Sequence, residues 1–206
     1  MKRPVSLLAA LVGLAIIAPS ASAAAPKCTR GGAEVLAMSG NTSVLSITSR
    51  SEEEQAYGCW KPTGKRFKLF GNLEIDEATE WSIVAGRYIG VLRTFMGGVA
   101  SGGSAAKSWD ARKRSVVHAP TACDKIVEDP DQEESGTAGG PSNAVFFRGG
   151  GIAYTCAGNM ISHIADGKGD RELEPNGTTV TSLAVTPAGD RLFYMAGETA
   201  RALPLR

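Results

Sequence analysis

The sequence predicts an all-β fold, built as an array of about four antiparallel β-sheet units that follow one another along the chain. Three observations carry this prediction. After residue 24 no stretch shows the spacing of an amphipathic helix, and short apolar runs alternate instead with turns of Gly, Pro, Asn, Asp and Ser. These runs are short and regularly spaced, which ranks a repeat architecture above a single sandwich. A turn of one kind also recurs along the chain, as the elements below show.

The chain opens on an export signal. Lys2 and Arg3 form a basic start, Leu7–Ala18 is an uncharged apolar run, Pro19 breaks it, and Ala21-Ser22-Ala23 fits a small-residue cleavage site. The run is shorter than the roughly 20 apolar residues that cross a bilayer, and no basic stop-transfer flank follows it. Residues 1–23 therefore read as a cleavable signal peptide and 24–206 as the β domain, with no later stretch apolar enough to span a membrane. Cys28 lies five residues beyond Ala23, too far for a lipid anchor at the cleavage point.

Taking residues 1–23 from the 206 leaves 183, the size of one domain or two small ones. With Lys2 and Arg3 gone, 20 basic residues face 21 acidic ones, a net charge near −1. A dedicated nucleic-acid binder would carry a basic excess, so that class is set aside.

Four cysteines, Cys28, Cys59, Cys123 and Cys156, remain. In an exported chain an even number points to disulfides, and four allow three pairings. The sequential pairing, Cys28–Cys59 and Cys123–Cys156, closes two loops of similar length and is the expected one. Each bridge restricts the unfolded chain and contributes ~3 kcal/mol. A metal reading has little behind it: no C-x-x-C pair occurs, and His118 with Cys123 is two ligands rather than a site.

The expected strands fall into four groups. Glu34–Met38, Ser43–Ser49, Gln55–Trp60 and Arg66–Phe70 form the first, and Trp81–Val84, Tyr88–Phe95, Lys107–Trp109 and Ser115–His118 the second. Ala144–Phe147, Ile152–Cys156, Met160–Ile164 and Arg171–Glu174 form the third, and Thr181–Thr186, Arg191–Met195 and Ala200–Leu205 the last. Polar turns beginning at Trp60, Trp109 and Ile164 each end on a basic residue that opens a strand. Such a turn joins the outer antiparallel strands of one sheet. Their offsets are 49 and 55 residues.

Near the C-terminus the pattern becomes specific. Leu183-Ala184-Val185-Thr186-Pro187-Ala188-Gly189-Asp190-Arg191-Leu192-Phe193-Tyr194 resembles the first two strands of a blade in TolB-like and WD40-like β-propellers. Those families repeat an apolar strand, a Ser/Thr-Pro-Asp-Gly turn, a basic residue and a second apolar strand. Pro187, Gly189 and Arg191 match, while Ala188 stands where the family usually has Asp. The resemblance implies a β-propeller-like array of about four units, either a small closed ring or an incomplete one that needs a partner chain. Exposed strand edges invite such pairing, so an oligomer is one outcome. It says little about function.

A second similarity sets a competing register. Ala56-Tyr57-Gly58-Cys59 resembles Ala153-Tyr154-Thr155-Cys156, and the segments ending at Cys28 and Cys123 are alike, with offsets of 97 and 95 residues. That suggests duplication of a two-unit block. The strand grouping instead puts Cys59 on a third strand and Cys156 on a second, and the cysteine pattern is the rarer coincidence.

Candidate sites are few. Gly97–Ser104 followed by Lys107-Ser108 brings a nucleotide loop to mind, but Ala106 stands where that motif needs Gly, and a hairpin loop is expected. The acidic run at 128–134 offers five carboxylates to Ca²⁺, although its spacing matches no known calcium loop, and a solvated inter-unit loop is expected. Ser51-Glu52-Glu53-Glu54 reads as a charged turn, and Asn41 and Asn176 head N-x-S/T tripeptides. His118 and His163 are the histidines open to catalysis, but no G-x-S-x-G elbow or orienting partner singles either out. The expectation is an exported soluble binding or interaction module with no cofactor and an unidentified protein or extracellular ligand. Its rivals are an exported hydrolase or lyase with a central-channel site, and a structural envelope protein.

Overall fold

The computed structural model describes residues 27–29, 31–50, 52–71, 77–95, 103–124, 140–156, 161–175 and 178–205. The expected signal peptide at 1–23, residues 97–102 of the Gly-rich loop, the acidic run at 128–134, Ser51 and Asn176 lie outside them.

Among the described residues fifteen strands form four antiparallel meanders. Sheet I holds β1 (Glu34–Ser39), β2 (Thr42–Thr48), β3 (Glu54–Trp60) and β4 (Lys65–Phe70). Sheet II holds β5 (Glu77–Val84), β6 (Tyr88–Phe95), β7 (Gly103–Asp110) and β8 (Ser115–His118). Sheet III holds β9 (Pro141–Phe146), β10 (Ile152–Cys156), β11 (Ser162–Asp166) and β12 (Gly169–Glu172). Sheet IV has β13 (Val180–Val185), β14 (Arg191–Ala196) and β15 (Thr199–Pro204), three strands where the others have four. Each sheet pairs its strands in chain order, the all-β, propeller-like arrangement that the turn spacing predicted.

The three recurring turns each join the third strand of a sheet to its fourth: Trp60 ends β3, Asp110 ends β7 and Asp166 ends β11. Register is set by alternation. In sheet I, Val44 pairs with Gly58, which pairs in turn with Phe67, and this row faces sheet II, while Leu45 pairs with Tyr57 on the opposite face. Val44, Ala56 and Leu69 pack on Ile89, Val91 and Trp109 of sheet II. Phe146, Ile152 and Tyr154 of sheet III pack on Leu92 and Ala106 of sheet II. Sheets III and IV bury Ala153, Ile164, Leu183 and Leu192 between them. The sheets thus stack I on II on III on IV, and the array does not close into a ring.

Two contacts show how tightly the first hairpins pack. The β1–β2 and β5–β6 turns meet at Gly40 and Gly86, where a Cβ on Gly40 would lie 3.0 Å from the Gly86 Cα. Thr42 Oγ1 donates to the Gly86 carbonyl at 2.8 Å beside them. The β13–β14 turn lacks the usual Asp at Ala188, but Thr186 and Asp190 brace it. Thr186 Oγ1 donates to Asp190 Oδ1 at 2.6 Å, and the Gly189 N–H donates to the Thr186 carbonyl at 2.8 Å.

The disulfides join Cys28 to Cys59 and Cys123 to Cys156, the sequential pairing. Each ties a short 3₁₀ turn, Lys27–Thr29 or Ala122–Asp124, to a strand. The duplication register is overturned: Cys59 sits on the third strand of its sheet and Cys156 on the second of its own. What repeats is the clamp between a turn and a strand, and either strand can receive it.

Candidate functional site

Side chains that carry chemistry gather in the seams between sheets. In the seam of sheets II and III, Tyr154 of β10 is fully buried and donates its hydroxyl to Asp170, 2.8 and 2.7 Å from the two carboxylate oxygens. His163 is the cross-strand partner of Tyr154, and the two rings stack with centroids 5.4 Å apart. Its Nδ1 lies 3.9 Å from Asp170 Oδ1. Across the seam His118 ends β8, its N–H donating to Ser108 Oγ at 3.2 Å. Burial holds His118 below the ordinary histidine range, outweighing the upward pull of Asp166 and Asp170. The two histidines read singly from the sequence therefore share one acidic neighbourhood. Sequence distance hid this, because sheet stacking brings β8 against sheet III.

The aspartates that end β7 and β11 each pair with an arginine, Arg87 from the β5–β6 turn and Arg171 from β12. Asp110 is buried, receives Arg87 through Nε at 3.0 Å and Nη2 at 2.5 Å, and accepts the Arg112 and Lys113 N–H groups. Burial opposes its charge, but Arg87 and those N–H groups prevail and hold the carboxyl below its ordinary range. Asp166 is held low mainly by Arg171, which donates at 2.7 and 3.0 Å, and it accepts the Lys168 N–H. These aspartates shape hairpins, which is the commoner use of Asp in a tight turn. In the seam of sheets III and IV, Tyr194 donates to Glu174 at 2.7 Å, and Arg201 Nε lies 3.4 Å from the same oxygen.

Two hollows accompany these seams. One of about 300 Å³ lies where the first strands of sheets II, III and IV end, lined by 82–84, 144–146 and 185–187. Its walls are aliphatic, aromatic and hydroxyl side chains with no titratable group. The other, about 460 Å³, runs between the β11–β12 hairpin and the last strand, with Ile164, Leu203 and Leu205 against Asp166, Lys168 and Arg171. Lys107 lies within β7, paired with Val91, its ammonium 5.5 Å from the Trp109 ring, so the lysine weighed for a nucleotide loop sits on a strand. Among the described residues no group of three or more His, Cys, Asp or Glu side chains is placed to hold a metal ion.

Tandem antiparallel meanders stacked face to face define a propeller-like β-array, and the chain belongs to that structural class. A scan against family models found no match, and neither did a search of curated proteins. Among solved structures, the chain is similar to TolB from Acinetobacter baumannii, at 14% identity and a TM-score of 0.38. The match covers 82% of this chain and 40% of that one, so the chain spans about two fifths of the length of that TolB.

Proposed function

We propose that this chain is an exported interaction module that docks a protein partner on the end sheets of its array. One observation carries the reading. Among the described residues the exposed large apolar side chains are Val35, Leu36, Met38, Val116 and Phe193, and all but Val116 sit in sheets I and IV. Single exposed apolar residues are ordinary. Here they fall on the two sheets that lack a neighbour on one side, whereas sheets II and III are covered on both faces. Met38 is 63% exposed on the face of sheet I turned away from sheet II, and Phe193 is 42% exposed on the face of sheet IV turned away from sheet III.

Export is supported by the N-terminal pattern and by two disulfides, which persist in oxidising compartments. No helix among the described residues is long and apolar enough to cross a membrane. Terminal sequencing of the protein recovered from its host is expected to begin at Ala24.

A photo-reactive benzophenone residue placed at Met38 or Phe193 tests the docking reading in the living host. Adducts of defined mass at both positions, and none at the exposed turn residue Glu198, are expected. Equal labelling at all three would overturn it.

The hydrolase or lyase reading has one observation behind it, the gathering of His118, His163, Asp170 and Tyr154. In that gathering the Tyr154 hydroxyl donates a hydrogen bond to Asp170, and His163 Nδ1, at 3.9 Å, is beyond hydrogen-bond reach of the carboxylate. A base within reach of a nucleophile is the arrangement such catalysis calls for.

A further inference from the structure

Among the described residues sheet IV has three strands, and the backbone on the outer side of β15 can be read residue by residue. The Leu205 N–H donates to the Asp190 carbonyl at 2.8 Å, so residues 190 and 205 form a hydrogen-bonded pair. Alternation along an antiparallel ladder then turns the backbone groups of Leu203, Arg201 and Thr199 toward β14. Ala200, Ala202 and Pro204 present theirs to the outer edge. That edge offers two N–H donors, from Ala200 and Ala202, and three carbonyls. Pro204 has no N–H to lose, and its ring falls where no ladder bond is broken.

The hollow of about 460 Å³ runs along this strand. Leu203 and Leu205 share the face turned toward sheet III, and with Ile164 they form an apolar floor. The opposite wall is the β11–β12 hairpin. Asp166 is taken by Arg171 there, which leaves the Lys168 ammonium without a carboxylate in hydrogen-bond range among the described residues. A strand laid beside β15 would put alternate side chains into this hollow, over an apolar floor and against a cation.

We propose that β15 is a receptor edge: an extended segment of a partner protein, with apolar and acidic side chains in alternation, adds to it as the fourth strand of sheet IV. This rests on the interaction-module reading and names the class of partner and the place of docking. The geometry divides the work. Ala200, Ala202 and Pro204 supply main-chain pairing, Ile164, Leu203 and Leu205 take the apolar side chains, and Lys168 selects for acid.

The test is fluorescence anisotropy of the purified chain with a labelled ten-residue peptide in which valine alternates with glutamate. A valine–lysine peptide of the same length is the control. The glutamate peptide is expected to bind at least tenfold more tightly than the lysine peptide. Lys168→Glu should remove that preference while leaving the fold intact by circular dichroism. Methylating the peptide nitrogens on one edge should abolish binding if pairing is through the main chain, and it leaves the protein untouched. Equal binding of the two peptides, or binding indifferent to methylation on either edge, would overturn the proposal. So would a concentration-dependent dimer in sedimentation that Ala202→Pro dissolves, because the edge would then belong to a second copy. Failure here with benzophenone adducts still formed at Met38 and Phe193 would remove the receptor edge and leave the interaction module standing.

Discussion

Tyr194 donates a hydroxyl hydrogen bond to Glu174 at 2.7 Å across the seam between sheets III and IV, and neither residue is open to solvent. The tyrosine comes from the middle strand of sheet IV and the acid from the segment after β12, so this hydrogen bond joins sheet IV to sheet III, as does the Arg148 N–H on the Gly189 carbonyl at 2.9 Å. Burial first, and Glu174 second, push the Tyr194 phenol up to about 12.

Tyr194→Phe keeps the ring and leaves Glu174 with Arg201 alone. A hydrogen bond to a charged group is worth about 1.5–3 kcal/mol, and a loss in that range is expected from urea unfolding. The folded phenol has the higher pKa, so its contribution is complete below the unfolded value of 10.0 and disappears as pH rises toward about 12. The wild-type unfolding midpoint should fall across that window more steeply than the midpoint of the variant. Matching slopes would show that Tyr194 ionises as freely in the folded chain as in the unfolded one.

His118 works in the other direction. Its folded pKa lies below 6.5, because burial outweighs the attraction of Asp166 and Asp170. The unfolded chain therefore takes up the proton first, and stability that is full above about pH 6.5 is lost as pH falls through the folded value. Asp166 and Asp170 are the carboxylates that act on it, and Arg171 is already paired with Asp166. His118→Leu is expected to flatten the fall in unfolding midpoint between about pH 7 and about pH 5, with the wild type showing the steeper loss. A variant that loses stability just as steeply would assign the slope to other groups.

The sequence reached the strands more readily than their neighbours across the seams. Alternating runs such as Tyr88–Phe95 and Ile152–Cys156 have an apolar signal that coincides with the strand, and both match their expected bounds. Where the strand is polar or small, that signal starts late. The run Lys107–Trp109 is only part of β7, because Gly103, Ser104, Ala105 and Ala106, too small or polar to give an apolar signal, pair with Phe95 to Leu92. Likewise β9 begins at Pro141 and β5 at Glu77, ahead of their apolar cores. The meeting of His118 with Asp166 and Asp170 depends on sheet stacking, which alternation within one strand does not encode. The open edge of sheet IV was nearer to hand, since the last group already held three runs against four in the others.

Each disulfide fixes a turn that precedes a sheet to a strand inside one, over sequence separations of 31 and 33 residues. Loops of that length are expected to give similar stabilisation, ~3 kcal/mol per bridge. Replacing Cys28 and Cys59 by serine, or Cys123 and Cys156, should therefore lower the unfolding midpoint by comparable amounts. A mass map of unreduced peptides that joined Cys59 to Cys123 would contradict the sequential pairing.

The stacking of sheets II and III depends on an absent side chain at Gly90. This residue lies in β6, and a Cβ built on it would fall 2.1 Å from the Phe146 ring of β9, closer than any real contact allows. Phe146 is packed with Ile152 and Tyr154, so the ring has little room to retreat. Gly90→Ala should cost about 1–3 kcal/mol by overpacking. Phe146→Leu alone should also destabilise, because it removes buried ring area. Together the two changes should cost less than their sum, since the smaller side chain relieves the clash that the alanine creates. A double-mutant cycle in urea reads this directly, and strict additivity would mean that Gly90 and Phe146 do not meet.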